Sequence, residues 1–164
     1  MTPARRHLVL GIGNTLNTDE GVGVHAVALL KEALGNPLSI EFLDGGTLGL
    51  NLLPLVEEAQ HLVLLDAVNA GAQGGTVIEL RRDEIPLFAG VRMSQHQLTF
   101  QEVLGLAQVR GKLPAYLHLI GVQPEDLSVG VGLSVVVAKA VPRVLNRAEA
   151  VLREWNLLND QRGA

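Results

Sequence analysis

Residues 8–24 read LVLGIGNTLNTDEGVGV. The segment opens on unbroken aliphatics, the pattern of a strand covered on both faces. Gly11 and Gly13 then punctuate a loop, as glycines do where the chain must turn sharply. Beyond the loop Gly23, Val27, Leu30 and Leu34 recur at helical spacing, and Gly35 and Pro37 stop the helix. Strand, glycine loop and helix in succession make the opening unit of an α/β domain. The loop also carries two adjacent acids, Asp19 and Glu20.

Working outward, the first strand covers 7–11 and a second is predicted at 38–44, ending in Asp44-Gly45-Gly46-Thr47. The leucine-rich segment 48–58 is predicted helical, started or broken by Pro54. A third strand at 62–66 is a continuous apolar run closed by Asp66. The turn at 69–75 leaves no room for a crossover helix, so the strand at 76–80 should run antiparallel to its neighbours. A loop at 83–93 precedes a helix opened by Ser94, with Gln97 as the matching half of a capping box. That helix runs to Arg110, a fifth strand covers 116–122, and the last helix starts near Ser134. Pro142 should kink that helix or begin a second segment. The expected fold is a three-layer α/β/α domain around a five-stranded mixed, mostly parallel sheet, spanning 1–158, with 159–164 as a flexible tail.

Composition narrows the function. Apolar residues make up 48% and aromatics 3% of the 164 residues, so the core must be aliphatic, as suits helices on a parallel sheet. No apolar run is long enough to span a bilayer, and nothing resembles a signal-peptide cleavage site. With no cysteine, disulfides, thiolate ligands and a cysteine nucleophile are all excluded. The net charge of −4, without a basic run, argues against nucleic acid as a partner. A cytoplasmic, monomeric protein off the membrane is the expectation.

In a parallel sheet, ligands bind at the carboxyl ends of the strands, where Glu20, Asp44 and Asp66 all fall. Asp19 and Glu20 also suit the first turn of a helix, whose dipole favours acids. Asp44 before two glycines suits a turn. Asp66 is different: a carboxylate closing an apolar run risks burial and needs a cation or donors. His96, in the first turn of its helix, is held toward the neutral imidazole a metal ligand must be. His7 and His61, placed before strands, His25 on a helix and His118 within a strand are weaker candidates. Two carboxylates and a histidine form a ligand set for Zn²⁺ or Ni²⁺ with open positions. The nucleotide reading is poor: a third glycine should stand at Leu16, and two acids face where a pyrophosphate would lie. There is no Gly-x-Ser-x-Gly elbow, and neither Asp44 nor Asp66 sits in Asp-Thr-Gly.

Together these segments resemble the hydrogenase maturation endopeptidases, which trim the C-terminal extension from the large subunit of nickel–iron hydrogenases. The matching stretches are GIGNTLNTDEGVGV, FLDGGTLGL, LVLLDAV, SQHQL and LIGVQPEDLSVGVGLS, in the family's order. The resemblance implies Glu20, Asp66 and His96 as metal ligands and Asp44 as the acid of nickel-dependent recognition. It also implies a partner, the large-subunit precursor, which carries its own nickel, so no permanent cofactor is expected. Other divalent ions would fit the same site. Asp19 or Asp44 would assist an attacking water as a base, an aspartyl-type role. Gln95 stands where many relatives carry proline. The 83–95 loop and the glycine loop are the expected docking elements. The alternatives are a nickel-binding checkpoint module without proteolysis and a small nucleotide-binding α/β domain.

Overall fold

The computed structural model describes residues 6–87 and 95–158, with residues 95–99 described in their backbone only. The five strands are β1 (Arg6–Ile12), β2 (Glu41–Gly46), β3 (Ala59–Ala67), β4 (Val77–Arg81) and β5 (Tyr116–Val122). The four helices are α1 (Val22–Ala33), α2 (Leu53–Glu58), α3 (Gln95–Val109) and α4 (Val135–Glu154). The sheet order is β2-β1-β3-β5-β4. Four strands are parallel, and β4 alone pairs antiparallel, on β5, as its short connection requires.

Alternation along the strands divides the core. Val9, Val63, Leu65 and Ile120 face α1 and α4, while Leu8, Leu10, Leu62 and Leu64 face α2 and α3. β3 is buried almost end to end, as its apolar run predicts. The crossing of α1 over the sheet depends on Gly23. A Cβ there would lie 2.0 Å from the Leu65 carbonyl oxygen and 2.6 Å from that of Ile12, so no other residue lets the helix come so near.

Some expectations shift. Strand β1 contains His7, as the 7–11 span predicts, while β3 begins early enough to take in His61; their Nδ1 atoms lie 2.9 Å apart, one donating and one accepting. His61 also stacks on Tyr116, with ring centres 4.4 Å apart. In place of a strand start at 38, Leu38 is fully exposed and pairing begins at Glu41. The 48–58 helix opens as a 3-10 turn, Gly49–Leu52, before α2, with Pro54 in the first α-helical turn where its missing N–H costs nothing. Pro142 lies inside one continuous α4. The Ser94 cap, most of the 83–95 loop and the 159–164 tail lie outside the described residues.

One buried carboxylate ties the loops together. Asp19 is wholly inaccessible. Its Oδ2 accepts the backbone N–H of Glu125 (2.9 Å) and of Asp126 (2.8 Å) and the Ser134 hydroxyl (2.8 Å). Its Oδ1 accepts the Ser134 backbone N–H at 2.8 Å. The exit loop of β1 is thereby bound to the exit loop of β5 and to the start of α4. Asp19→Ala strands these donors, at about 1–3 kcal/mol for each group left unsatisfied. It should lower stability by at least about 3 kcal/mol. Asp19→Asn, which turns one acceptor into a donor facing donors, should speed amide exchange at Glu125, Asp126 and Ser134 before that of β3. Unchanged exchange at Ser134 would refute the clamp.

A second polar tie holds the edge strand. Glu79 on β4 accepts from Arg147 of α4 at 2.8 Å and bonds His118 of β5 at 3.0 Å. Burial pushes the Glu79 carboxyl upward, but the bonds from Arg147 and His118 outweigh it and leave the group below the usual carboxylate range. A lowered folded-state pKa stabilises above the unfolded value and ceases to do so as acid protonates the folded carboxylate. Glu79→Gln should therefore cost about 1–2 kcal/mol at neutral pH. Urea titrations at falling pH should see the gap between wild type and variant close as the pH drops through the folded-state pKa.

Candidate active site

The register of the sheet brings the candidate residues to one edge. Gly11 is level with Leu65 on one side and Asp44 on the other, and Ile12 is level with Gly46. The loop leaving β1 turns through Gly13, whose φ of +133° and contact with the Glu20 carbonyl exclude a side chain. A 3-10 turn, Thr18–Gly21, follows and packs on β3. Glu20, one turn ahead of Gly23, is thus carried to the end of the β1–β3 seam. It is 5% exposed, and Asn17 Nδ2 donates to its Oε2 at 3.3 Å.

Asp66 closes β3 and is 6% exposed, with the N–H of Ala67 donating to its Oδ1 at 2.8 Å. It lines a small cavity with Ile12, Leu64, Ile85, Phe100, Gln101, Leu104 and Leu119. Three of those residues belong to α3, and Gln101 is held there by donating to the Pro86 carbonyl at 2.8 Å. His96 is in the first turn of α3, one turn before Phe100. Its side chain lies outside the described residues. Among the described residues no group of three or more acids and histidines is close enough to hold a metal.

Asp44 is placed differently. Its neighbour Gly45 faces Leu10, Ile12 and Leu52 on the α2–α3 side, so Asp44 projects from the opposite side of the sheet to Asp66. It is also exposed. With β1 between them, the two backbones stand about 10 Å apart, two strand spacings. The expectation that Asp44 and Asp66 face one cleft is therefore not met. Asp19, the other candidate base, has both oxygens occupied by the clamp and no access to solvent.

Two supporting residues went unread in the sequence. Asn17 stands three before Glu20, the spacing of a capping pair, which was the available signal. Gln123 is buried at the end of β5. It accepts the N–H groups of Ala70 and Ala72 at 2.8 and 3.2 Å and donates to Asn69 at 3.1 Å, holding the loop that leaves Asp66. A polar residue closing the apolar run LHLIGV carried the same message as Asp66.

Comparison with known proteins agrees with this architecture. Residues 24–151 match the family model HycI, hydrogenase maturation protease. The hydrogenase expression/formation protein HupD of Rhodobacter capsulatus is 44% identical over 93% of this chain and 73% of its own. The hydrogenase 2 maturation protease of Escherichia coli is 39% identical over 91% of this chain and 92% of its own. Among solved structures, the hydrogenase maturating endopeptidase HybD from E. coli superimposes with a TM-score of 0.82 at 39% identity, over 92% of this chain and 93% of that one. The NiFe hydrogenase maturation protease HybD from Thermococcus kodakarensis gives 0.73 at 28% identity, over 89% and 98%. With its five-stranded mixed sheet and its glycine loop above the β1–β3 seam, the chain belongs to the hydrogenase maturation protease family and is a peptidase.

Proposed function

We propose that this peptidase removes the C-terminal extension of a nickel-loaded hydrogenase large-subunit precursor, and that Glu20, Asp66 and His96 recognise the nickel the substrate carries. What supports this reading is that two carboxylates are buried, Glu20 on the turn that packs on β3 and Asp66 at the end of β3. Buried acids are costly unless a cation or donors offset the lost hydration. Carboxylate oxygens are also suitable ligands for a divalent ion arriving with the substrate. A neutral imidazole in the first turn of α3 suits the third ligand position, since the helix dipole disfavours its protonation there.

Three protein ligands, none of them thiolate, leave positions open for groups of the precursor. Nickel shared in this way would polarise the scissile carbonyl or position it for attack by water. Asp44, exposed and on the other side of the sheet, suits reading the precursor rather than primary ligation. For Asp19 the reading is a positioning residue, because a base needs a free lone pair and access to the attacking water. The protein would act as a cytoplasmic monomer. Among the described residues no helix is long and apolar enough to cross a membrane.

The test incubates the protein with precursor purified with and without nickel and follows shortening of the large subunit. Only the loaded precursor should be cut. Glu20→Gln, Asp66→Asn and His96→Ala should each reduce processing at least a hundredfold while the thermal transition stays cooperative. Asp44→Asn should instead relax the dependence on nickel. Equal cleavage of nickel-free precursor, or full activity of His96→Ala, would overturn the reading. Divalent-ion affinity should also fall on acidification through the histidine range, because His96 must lose its proton to bind.

A further inference from the structure

The exit loop of β5 displays its aliphatic residues instead of burying them. Val129 is 89% exposed and Val131 87%, and Leu127 and Val135 on either side are also exposed. Leu16, from the exit loop of β1, joins them: Gly130 donates its N–H to the Leu16 carbonyl at 2.8 Å, and Leu16 is 61% exposed. Several aliphatics displayed by adjoining loops of a folded domain are characteristic of a site of association.

This surface is held stiffly and is joined to Glu20. Thr18 adopts φ +49°, an unfavourable conformation for a β-branched residue. It is kept there by its N–H donating to the Gly130 carbonyl at 3.0 Å and its hydroxyl to the Ser128 carbonyl at 2.7 Å. Asp19, the next residue, binds Glu125, Asp126 and Ser134, and Glu20 comes immediately after. Strain of this sort persists only where surrounding bonds over-determine it. The displayed loop and the candidate ligand are thus two ends of one bonded unit.

Charge selects the occupant. The carboxyl ends of the parallel strands and their exit loops, residues 11–21, 44–52, 66–76 and 121–134, contain Asp19, Glu20, Asp44, Asp66, Glu125 and Asp126. They contain none of the chain's 13 Lys and Arg residues. A second copy would bring the same acids against these, and like charges across an interface are unfavourable. A complementary partner offers aliphatic side chains flanked by basic ones.

We propose that the surface formed by Leu16, Leu127, Val129, Val131 and Val135 grips the protein substrate through an aliphatic segment rimmed by lysine or arginine, beside the peptidase site. This rests on the proteolytic reading above and adds where the substrate is held. The test measures the affinity of nickel-loaded precursor in a Glu20→Gln background, where it stays uncut, and separately the cleavage kinetics with Glu20 intact. Val129→Asp/Val131→Asp should weaken binding at least tenfold and raise KM to match, with kcat within about twofold. The near-isosteric Val129→Thr/Val131→Thr pair should show the same trend more weakly, which separates docking from misfolding. Leu38→Asp, at an equally exposed leucine beyond this surface, should change nothing. Added salt should weaken binding to the unaltered surface, as expected for charge-assisted association.

Unchanged affinity and KM in both valine pairs would overturn the proposal. So would a dimer of the unmodified chain that Val129→Asp/Val131→Asp dissociates, since the surface would then belong to a second copy. If precursor binds and the valine pairs release it, but no cleavage occurs with Glu20 intact, docking stands and the proteolytic reading falls.

Discussion

The structure at the carboxyl edge depends on a carboxylate that never meets solvent. Asp19 accepts three backbone N–H groups and one hydroxyl from residues more than a hundred positions away. In a low-dielectric setting such bonds are strong, and each donor would be costly to leave unmade. The exit loops of β1 and β5, neighbours across β3, are tied together chiefly by this side chain, with Thr18 and Leu16 adding bonds to Ser128 and Gly130. Without it the turn bearing Glu20 would be left to the Gly23 crossing and the Leu16 and Thr18 bonds to the β5 exit loop, and the start of α4 would lose its bonds to that turn.

That arrangement explains a division of labour between two adjacent acids. Asp19 turns inward and is consumed by structure, while Glu20 stays outside the clamp and accepts a bond from Asn17. Neighbouring residues on a tight turn point in different directions, so adjacency in sequence says little about shared chemistry. The same holds for Asp44, where strand alternation sends the side chain away from Asp66 although both close parallel strands.

Charge follows a similar geography. Arg6 pairs with Glu41 and Glu58, Arg110 with Glu57, and Arg147 with Glu79, all on the flanks of the sheet and its helices. Among the described residues, the ends of the parallel strands and their exit loops carry acids and no Lys or Arg, and several of their aliphatics face solvent. An edge built in this way is incomplete by itself. Its acids and its apolar loop both suit a protein partner that brings cations and aliphatic groups together, which accords with a peptidase acting on another folded chain.

Sequence alone determined which elements form and in what order. The aliphatic runs at 8–10 and 62–65 specify buried strands, Gly35 and Pro37 end α1, and the short 69–75 connection forces β4 antiparallel, because these are local effects of period, turn chemistry and chain length. The proposed ligands also stand out locally, each closing a run or opening a helix. Tertiary structure alone decided what Asp19 does, on which side of the sheet Asp44 lies, and that His7 and His61 pair with each other. Asp19 finds its partners 106 to 115 residues away. The histidine pair is fixed by a neighbouring strand and by stacking on Tyr116. Bonds that span the chain leave no mark in any local window, since they exist only once the sheet has brought distant loops to one edge.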